Sequence, residues 1–561
     1  MRKMKIEALL PAFILFGFVL VLFYPLANVL KEALTVEGGF SFELFRELAR
    51  NFDWLNALSN SLLIAGLTAL FATFLGFWFA YGMHFTNLPK GFKWMIEKCF
   101  MLPMLLPTIT YGFVLIYSFG RQGLWTRLVG QELFSIYGKS GVILGLLIYT
   151  IPVTFLLMND AMNYLDKRYL TVSRLMGDGF FRGLKITILQ PLGKTFGVAF
   201  VQAFFMSFTD FGIPVAVGGR EPFITTLLYE YFMGSIPDFN RGAVIALIML
   251  VPSIVSILFL RKIQKNDHAT PGTNTSVKSN PVRDLFFGVG LTVGGLFILG
   301  VFLVMFLLPF VEGWPFDMTF TTRHIEAFLQ TSDLRRTLNT GIFVALWTAL
   351  FGTVIAYLAA IFTARSAKQN VILKMIDSLA SITNSIPGMV LGIAYLLVFS
   401  GTTLQSTISI LVIANMVHYF ATPYQLAKSA LLKMNPNWEN TAKMMGDSWL
   451  DTVVRIILPN SKRTIVEMAC YYFTNSMVTI SAVVFLTSAR TMVITTKIKE
   501  LQHFGRFTEI FILSILLLLI NLTARILAQS IMRRFEANEK ISQKRVHLSV
   551  FRQRFRNFRG V

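Results

Sequence analysis

Charge is scarce in this chain of 561 residues. Asp, Glu, Lys and Arg make up 14% of it, against about 25% in an ordinary soluble domain. Cysteine is almost missing. Cys99 and Cys470 are the two present, which excludes a disulfide framework and leaves both as small apolar fillers. The six histidines are scattered without ligand spacing, so no metal centre is assigned. No cluster of His, Asp or Glu marks a catalytic centre, and no catalytic residue is named. A phosphate-binding loop is also missing, because the Walker A pattern needs a glycine five positions before Gly-Lys-Ser/Thr. Leu133 stands there for Gly138-Lys139-Ser140, and Ile188 for Gly193-Lys194-Thr195. The chain is therefore not expected to be an enzyme or to hydrolyse ATP itself.

Apolar length is what the chain has instead. Hydrophobic residues make up 54% of it, and the runs 9–30, 61–82 and 141–158 contain no charge. About 18 or more apolar residues in a row cross a bilayer as a helix. Twelve such spans can be drawn: 9–30, 61–82, 100–119, 141–158, 195–218, 242–260, 286–310, 340–362, 380–400, 405–425, 465–487 and 508–528. The first follows Met1-Arg2-Lys3-Met4-Lys5, but its run is longer than the ~7–15 residues of a signal-peptide core, so it reads as a retained helix. The expected fold class is an all-α polytopic membrane protein with about twelve transmembrane helices.

The net charge of +21 would suit a nucleic-acid partner, but its distribution points to the membrane. With the N-terminus inside, the cytoplasmic segments hold 35 of the 51 Lys and Arg, and the outer loops hold 15. That bias orients both termini toward the cytoplasm. No nucleic acid is expected, and part of the basic charge faces anionic lipid heads. Residues 261–284, rich in Lys, Asn, Thr, Ser and Pro, read as a cytoplasmic linker. It separates a first six-span repeat, 1–260, from a second, 285–530. A basic cytoplasmic tail, 531–561, follows.

The halves repeat in sequence. Leu67-Thr68-Ala69-Leu70-Phe71 returns as Trp347-Thr348-Ala349-Leu350-Phe351. Pro107 and Gly112 return as Pro387 and Gly392, and Met176-Gly177-Asp178 returns as Met445-Gly446-Asp447. Six spans per half, both starting inside, make the repeats parallel and place a pathway between them. Between the fourth and fifth spans of each half lies a long charged segment, 159–194 and 426–464. Each reads as a short amphipathic helix, a glycine, and a second helix leading back into the membrane. The glycine permits a sharp turn at positive φ. The helix before it presents Arg174, Leu175 and Met176, or Lys443, Met444 and Met445, to a partner groove.

The second copy reads Asn440-Thr441-Ala442-Lys443-Met444-Met445-Gly446, then nine residues, then Ile456-Ile457-Leu458-Pro459. The first reads Thr171-Val172-Ser173-Arg174-Leu175-Met176-Gly177, then Ile186-Thr187-Ile188-Leu189-Gln190-Pro191. This resembles the EAA loop of binding-protein-dependent ABC importer permeases, E-A-A-x3-G-x9-I-x-L-P. The second copy keeps the glycine-to-proline spacing in full. In the first, the Ile comes one residue early and Gln190 separates Leu189 from Pro191. The resemblance implies a type I importer permease in a bacterial plasma (inner) membrane. It implies two copies of a separate ATPase subunit that bind the ATP, and an extracytoplasmic solute-binding protein. The coupling residues it implies are Arg174, Met176, Gly177, Asp178, Lys443, Met445, Gly446, Asp447 and Pro459.

A fused double permease with Phe208-Thr209-Asp210-Phe211-Gly212 in its fifth span is similar to ferric-iron importer permeases; related permeases carry thiamine, aminoethylphosphonate or polyamines. An acid within a bilayer costs about 2.5–3.5 kcal/mol on insertion scales. Asp210 is therefore expected either to face the pathway with Ser207, Asn475 and Thr479, or to cap a helix break before Gly212 and Pro214. Pro107 and Pro387 are candidate helix breaks that free carbonyls toward the centre. The rival reading is an ion-coupled twelve-helix carrier. It would need ionisable groups within the spans, which offer few besides Asp210 and Arg525, and it leaves the paired loops unexplained.

Overall fold

The computed structural model describes residues 2–36, 39–50, 52–166, 168–264, 279–366, 370–383 and 385–558. Most of the expected linker, 265–278, lies outside the described residues, as do the side chains of the tail beyond 537. Regular structure is almost entirely helical. Among the described residues the strands are two short hairpins, Thr35–Val36 with Gly39–Phe40 and Val311–Gly313 with Asp317–Phe320.

Among the described residues seven helices are long and apolar enough to cross a membrane: Leu9–Ala33, Asp53–Phe85, Lys139–Met162, Phe239–Leu260, Pro281–Phe310, Ser332–Arg365 and Phe507–Ala537. The other five expected spans are interrupted. One comprises Lys90–Met101, a tight turn at Pro103–Leu105, and Thr108–Phe119. Another is Val371–Thr383 followed by Gly388–Phe399, bent by 109°. Ile408–His418 gives way to Ala421–Lys433. Gly193–Thr209 stops at Asp210, and Lys462–Val478 stops at Thr479. Uninterrupted spans are thus fewer than the twelve expected, because hydropathy registers apolar length and not where the helix path breaks. At Pro107 the cause is local: proline drives the residue before it to extended backbone, and Leu106 has φ −121°, ψ 150°.

The element order runs twice. A long first helix is followed by a hairpin, a short helix (Glu43–Arg50 or Arg323–Gln330) and a second long helix. The first helix of each half packs on the other half. Tyr395 donates its hydroxyl to the Val21 carbonyl at 2.7 Å, and Phe18 meets Phe420 edge-on at 4.6 Å. Reciprocally, Ser118 and Trp125 donate to the carbonyls of Val301 and Gly300. Small residues let such helices approach closely where apolar burial alone gives little drive.

The Thr108–Phe119 helix packs on the short Gly212–Val217 helix with no room to spare. A Cβ on Gly112 would sit 2.3 Å from the Ala216 Cβ. Gly112→Val is therefore expected to cost about 1–3 kcal/mol by overpacking, lowering the unfolding midpoint of the detergent-solubilised protein. Gly66→Ala, where a Cβ meets nothing within 4 Å, is expected to leave that midpoint unchanged or raise it.

Candidate functional site

The two loop segments fold into elbows. In the first, the Arg168–Leu175 helix ends at Met176, and Gly177 has φ +79°. In the second, Asn437–Met444 ends at Met445, and Gly446 has φ +84°. Behind each glycine the chain closes with a six-residue hydrogen-bonded turn: Asp178 N–H to the Ser173 carbonyl at 3.1 Å, and Asp447 N–H to the Ala442 carbonyl at 2.9 Å. Left-handed backbone at this position is why glycine stands there, since a Cβ on either would meet nothing within 4 Å. The methionines project outward: Met176 and Met445 are each 78% exposed. Lys443 and Asp447 are exposed as well. The Arg174 side chain lies outside the described residues.

Each elbow leads through a wide π-helical turn, Lys185–Leu189 or Val453–Ile457, into the helix that breaks at Asp210 or Thr479. Pro459 is exposed just after its turn, where a missing N–H is harmless. Ile188 and Ile457, not the motif's Ile456, are the fully buried anchors.

The elbows are braced differently. In the first, Ser173 donates to the Asp178 carboxylate at 2.8 Å, and that carboxylate pairs with Arg182 at 3.1 Å. In the second, Ser448 and Asp451 form a reciprocal cap on the Trp449–Thr452 helix. A larger clamp sits behind it. Arg365, at the end of the Ser332–Arg365 helix, grips the Glu439 carboxylate with two nitrogens. It also donates to the carbonyls of Leu431, Met434 and Asn435. The guanidinium side chain is 5% exposed. The positions 280 and 269 residues earlier are Phe85 and Leu170, so the first half has no such pair. Sequence reading missed the clamp because its partners lie 74 residues apart. The one signal was Glu439, immediately before the Asn440 that heads the second copy.

The breaks at Asp210 and Thr479 are built alike. Thr225 donates to the Asp210 carbonyl at 3.0 Å, and Thr495 donates to the Thr479 carbonyl at 2.6 Å. The Asp210 carboxylate accepts the Ile213 N–H at 2.8 Å and a hydrogen bond from Thr108. It thus caps the Gly212–Val217 helix. Asn475 turns its amide back to the Tyr471 carbonyl at 2.8 Å. Ser207 is 5% exposed, and its hydroxyl finds no partner among the described residues. Thr479 is hydrogen-bonded to Tyr419. At Pro107 the freed carbonyls do not open toward a pathway: Asn521 takes Leu105 at 2.9 Å and Tyr111 takes Leu106 at 3.1 Å. An unpaired carbonyl in hydrocarbon costs several kcal/mol, which is why they are covered. Pro387 starts the Gly388–Phe399 helix from extended backbone.

Beyond the breaks, two short helices, Ile224–Met233 and Ile494–His503, join the halves. The Lys499 ammonium lies 5.8 Å from the Tyr229 ring centre, and Gln502 donates to the Val215 carbonyl at 3.2 Å. Lys497 pairs with Asp333 at 2.6 Å and Glu500 at 2.9 Å. Burial alone would lower its pKa, but the two carboxylates outweigh it and hold the ammonium above the usual lysine range.

Removing the clamp is expected to loosen the second elbow. Arg365→Ala leaves Glu439, 20% exposed, without its cation, at a cost of about 3 kcal/mol. A Met445→Cys reporter should then become more mobile by spin-label spectroscopy, while a Met176→Cys reporter stays unchanged.

Residues 352–537 match the family described as binding-protein-dependent transport system inner membrane component. The chain is 23% identical to the ferric transport system permease protein FbpB of Actinobacillus pleuropneumoniae, over 90% of this chain and 75% of that protein. It is also 23% identical to the putative ferric transport system permease protein FbpB 1 of Haemophilus influenzae, over 78% of this chain and 71% of that one. The molybdenum transport system permease protein ModB of Escherichia coli is 25% identical over 37% of this chain and 91% of its own length. Polytopic and helical, the chain is an ABC importer permease, with residues 352–537 matching the binding-protein-dependent transport system inner membrane components.

Proposed function

We propose that this permease forms the pathway of a ferric-iron importer and takes its driving force from two separate ATPase subunits docked on the Met176 and Met445 elbows. Both termini and both elbows then face the cytoplasm, in line with the excess of Lys and Arg on that side. A solute-binding protein delivers iron to the opposite face. The observation that carries the reading is mechanical continuity. Each exposed elbow runs through a π turn into a helix that ends at the seam between the halves, at Asp210 or at Thr479. Closure of the ATPase pair around ATP draws the elbows together and opens the outer side, and hydrolysis resets it. Each bound state biases one two-state element. The choice of ferric iron rests on the two ferric permeases that this chain resembles over most of its length.

Proteoliposomes holding the permease, its ATPase and its binding protein should take up radiolabelled ferric iron only with ATP, and an ion gradient should not replace ATP. Gly446→Val puts a branched side chain into left-handed backbone at about 1–2 kcal/mol. It should leave membrane insertion intact and uncouple ATP hydrolysis from uptake. Cysteines at 176 and 445 should crosslink to an ATPase subunit in native membranes. Failure of both to capture one would overturn the coupling role.

A further inference from the structure

We propose that the exposed face of the Lys90–Met101 helix, formed by Lys90, Trp94 and Lys98, binds the headgroup of an anionic phospholipid in the inner leaflet. The assignment rests on the orientation given above and adds a lipid to the partners of the permease.

The helix is pinned at one end of a membrane span. It begins just after the Asp53–Phe85 helix ends. Lys93 Nζ donates to the carbonyls of Met83 and Thr86, at 2.7 Å each, and so ties its first turn to the end of that span. One side packs on the bundle. The Phe100 ring lies 4.4 Å from Phe79 and 5.5 Å from Phe155, and a Cβ on Gly295 would meet Ile96 at 3.0 Å. The other side is exposed at Lys90, Gly91, Trp94, Met95 and Lys98, with Trp94 63% exposed. Lys90, Trp94 and Lys98 follow one another at four-residue steps and share a stripe; the two lysines are about 12 Å apart along the axis. None of the three makes a hydrogen bond or ion pair among the described residues. Glu97, the acid of this helix, is half-buried and lies within electrostatic range of Asp160 on the Lys139–Met162 helix.

The chemistry of this face selects its occupant. Exposed faces of the long spans are apolar, as at Leu70, Phe74, Leu350 and Val354, which suits hydrocarbon. Ammonium groups are costly there, and lysines reach the headgroup level by extending along their stems. Indole rings settle at that same level, with the N–H free to meet an ester or phosphate oxygen. A tryptophan with a lysine one turn to either side therefore offers two cations and a neutral donor to a phosphate. No carboxylate stands on the stripe, so its complement is an anion, which the inner leaflet supplies. The site belongs to the first half alone, since the positions 280 residues on are Asn370, Lys374 and Ser378. It also bears on the pathway. The helix runs through the Pro103–Leu105 turn into Thr108–Phe119, and Thr108 is hydrogen-bonded to Asp210.

The test is native mass spectrometry of the purified full-length permease released from nanodiscs of equal parts phosphatidylglycerol and phosphatidylcholine, with neither iron nor ATP present. The wild type should retain phosphatidylglycerol over phosphatidylcholine by at least about fivefold. Lys90→Gln/Lys98→Gln should lose most of that preference, and the charge-keeping Lys90→Arg/Lys98→Arg should hold it. Lys374→Gln, on the matching helix of the second half, should leave it unchanged. Equal retention of the two lipids by the wild type, or a preference kept by the glutamine variant, overturns the site. So does a Trp94→Cys crosslink to an ATPase subunit, which would make the face a protein contact. A preference found and lost as expected supports the site even if proteoliposomes import no iron, a result that would sink the import reading alone. Reaction of Trp94→Cys, in a background without Cys99 and Cys470, with an impermeant thiol reagent only from outside intact cells would overturn the orientation and the choice of leaflet with it.

Discussion

Inside a bilayer a carbonyl has no water to turn to, and this chain interrupts helix after helix where water is scarce. The structure depends on how those interruptions are closed. Thr225 and Thr495 cover the last carbonyls at Asp210 and Thr479. Asn521 and Tyr111 cover those left by Pro107. The Asp210 carboxylate is drawn into the same task, capping the helix that starts at Gly212. A buried acid is costly, and here part of the cost is offset by the N–H it accepts. Only with the backbone satisfied can broken helices stand at the seam, where they leave polar groups facing inward.

The sequence was most legible where it was most apolar. Runs such as 61–82 and 340–362 mark helices that the structure extends to Asp53–Phe85 and Ser332–Arg365. The glycines after Met176 and Met445 could be singled out because a sharp turn at positive φ needs one. The breaks were harder to read. Nothing in the composition around Thr479 says that a helix stops there, since the stop is set by Thr495, sixteen residues on. Arg365 likewise counted only as one more basic residue until Glu439 was beside it.

The elbows also show how far a duplicated design can drift while keeping its geometry. Both glycines adopt nearly the same φ, and both turns close with the same six-residue hydrogen bond. The bracing has diverged: a serine, an aspartate and an arginine within the first elbow, an interhelical clamp behind the second. The first elbow is held by its own residues, whereas the second is fastened to a long membrane helix. Both pass into the membrane through their π turns, and the second has an additional tie to the bundle through Arg365.

The crossed packing of the two leading helices sets an order of assembly. Leu9–Ala33 is made well before Tyr395 and Phe420, which it packs against and which are synthesised several hundred residues later. Until then that helix has only lipid and its own half for company. Joining the halves in one polypeptide keeps the late-arriving surface close to the waiting helix, at an effective concentration set by the tether rather than by chance encounter in the membrane. Continuity of the chain thereby guarantees that each half docks with its sister and not with a half from a neighbouring molecule.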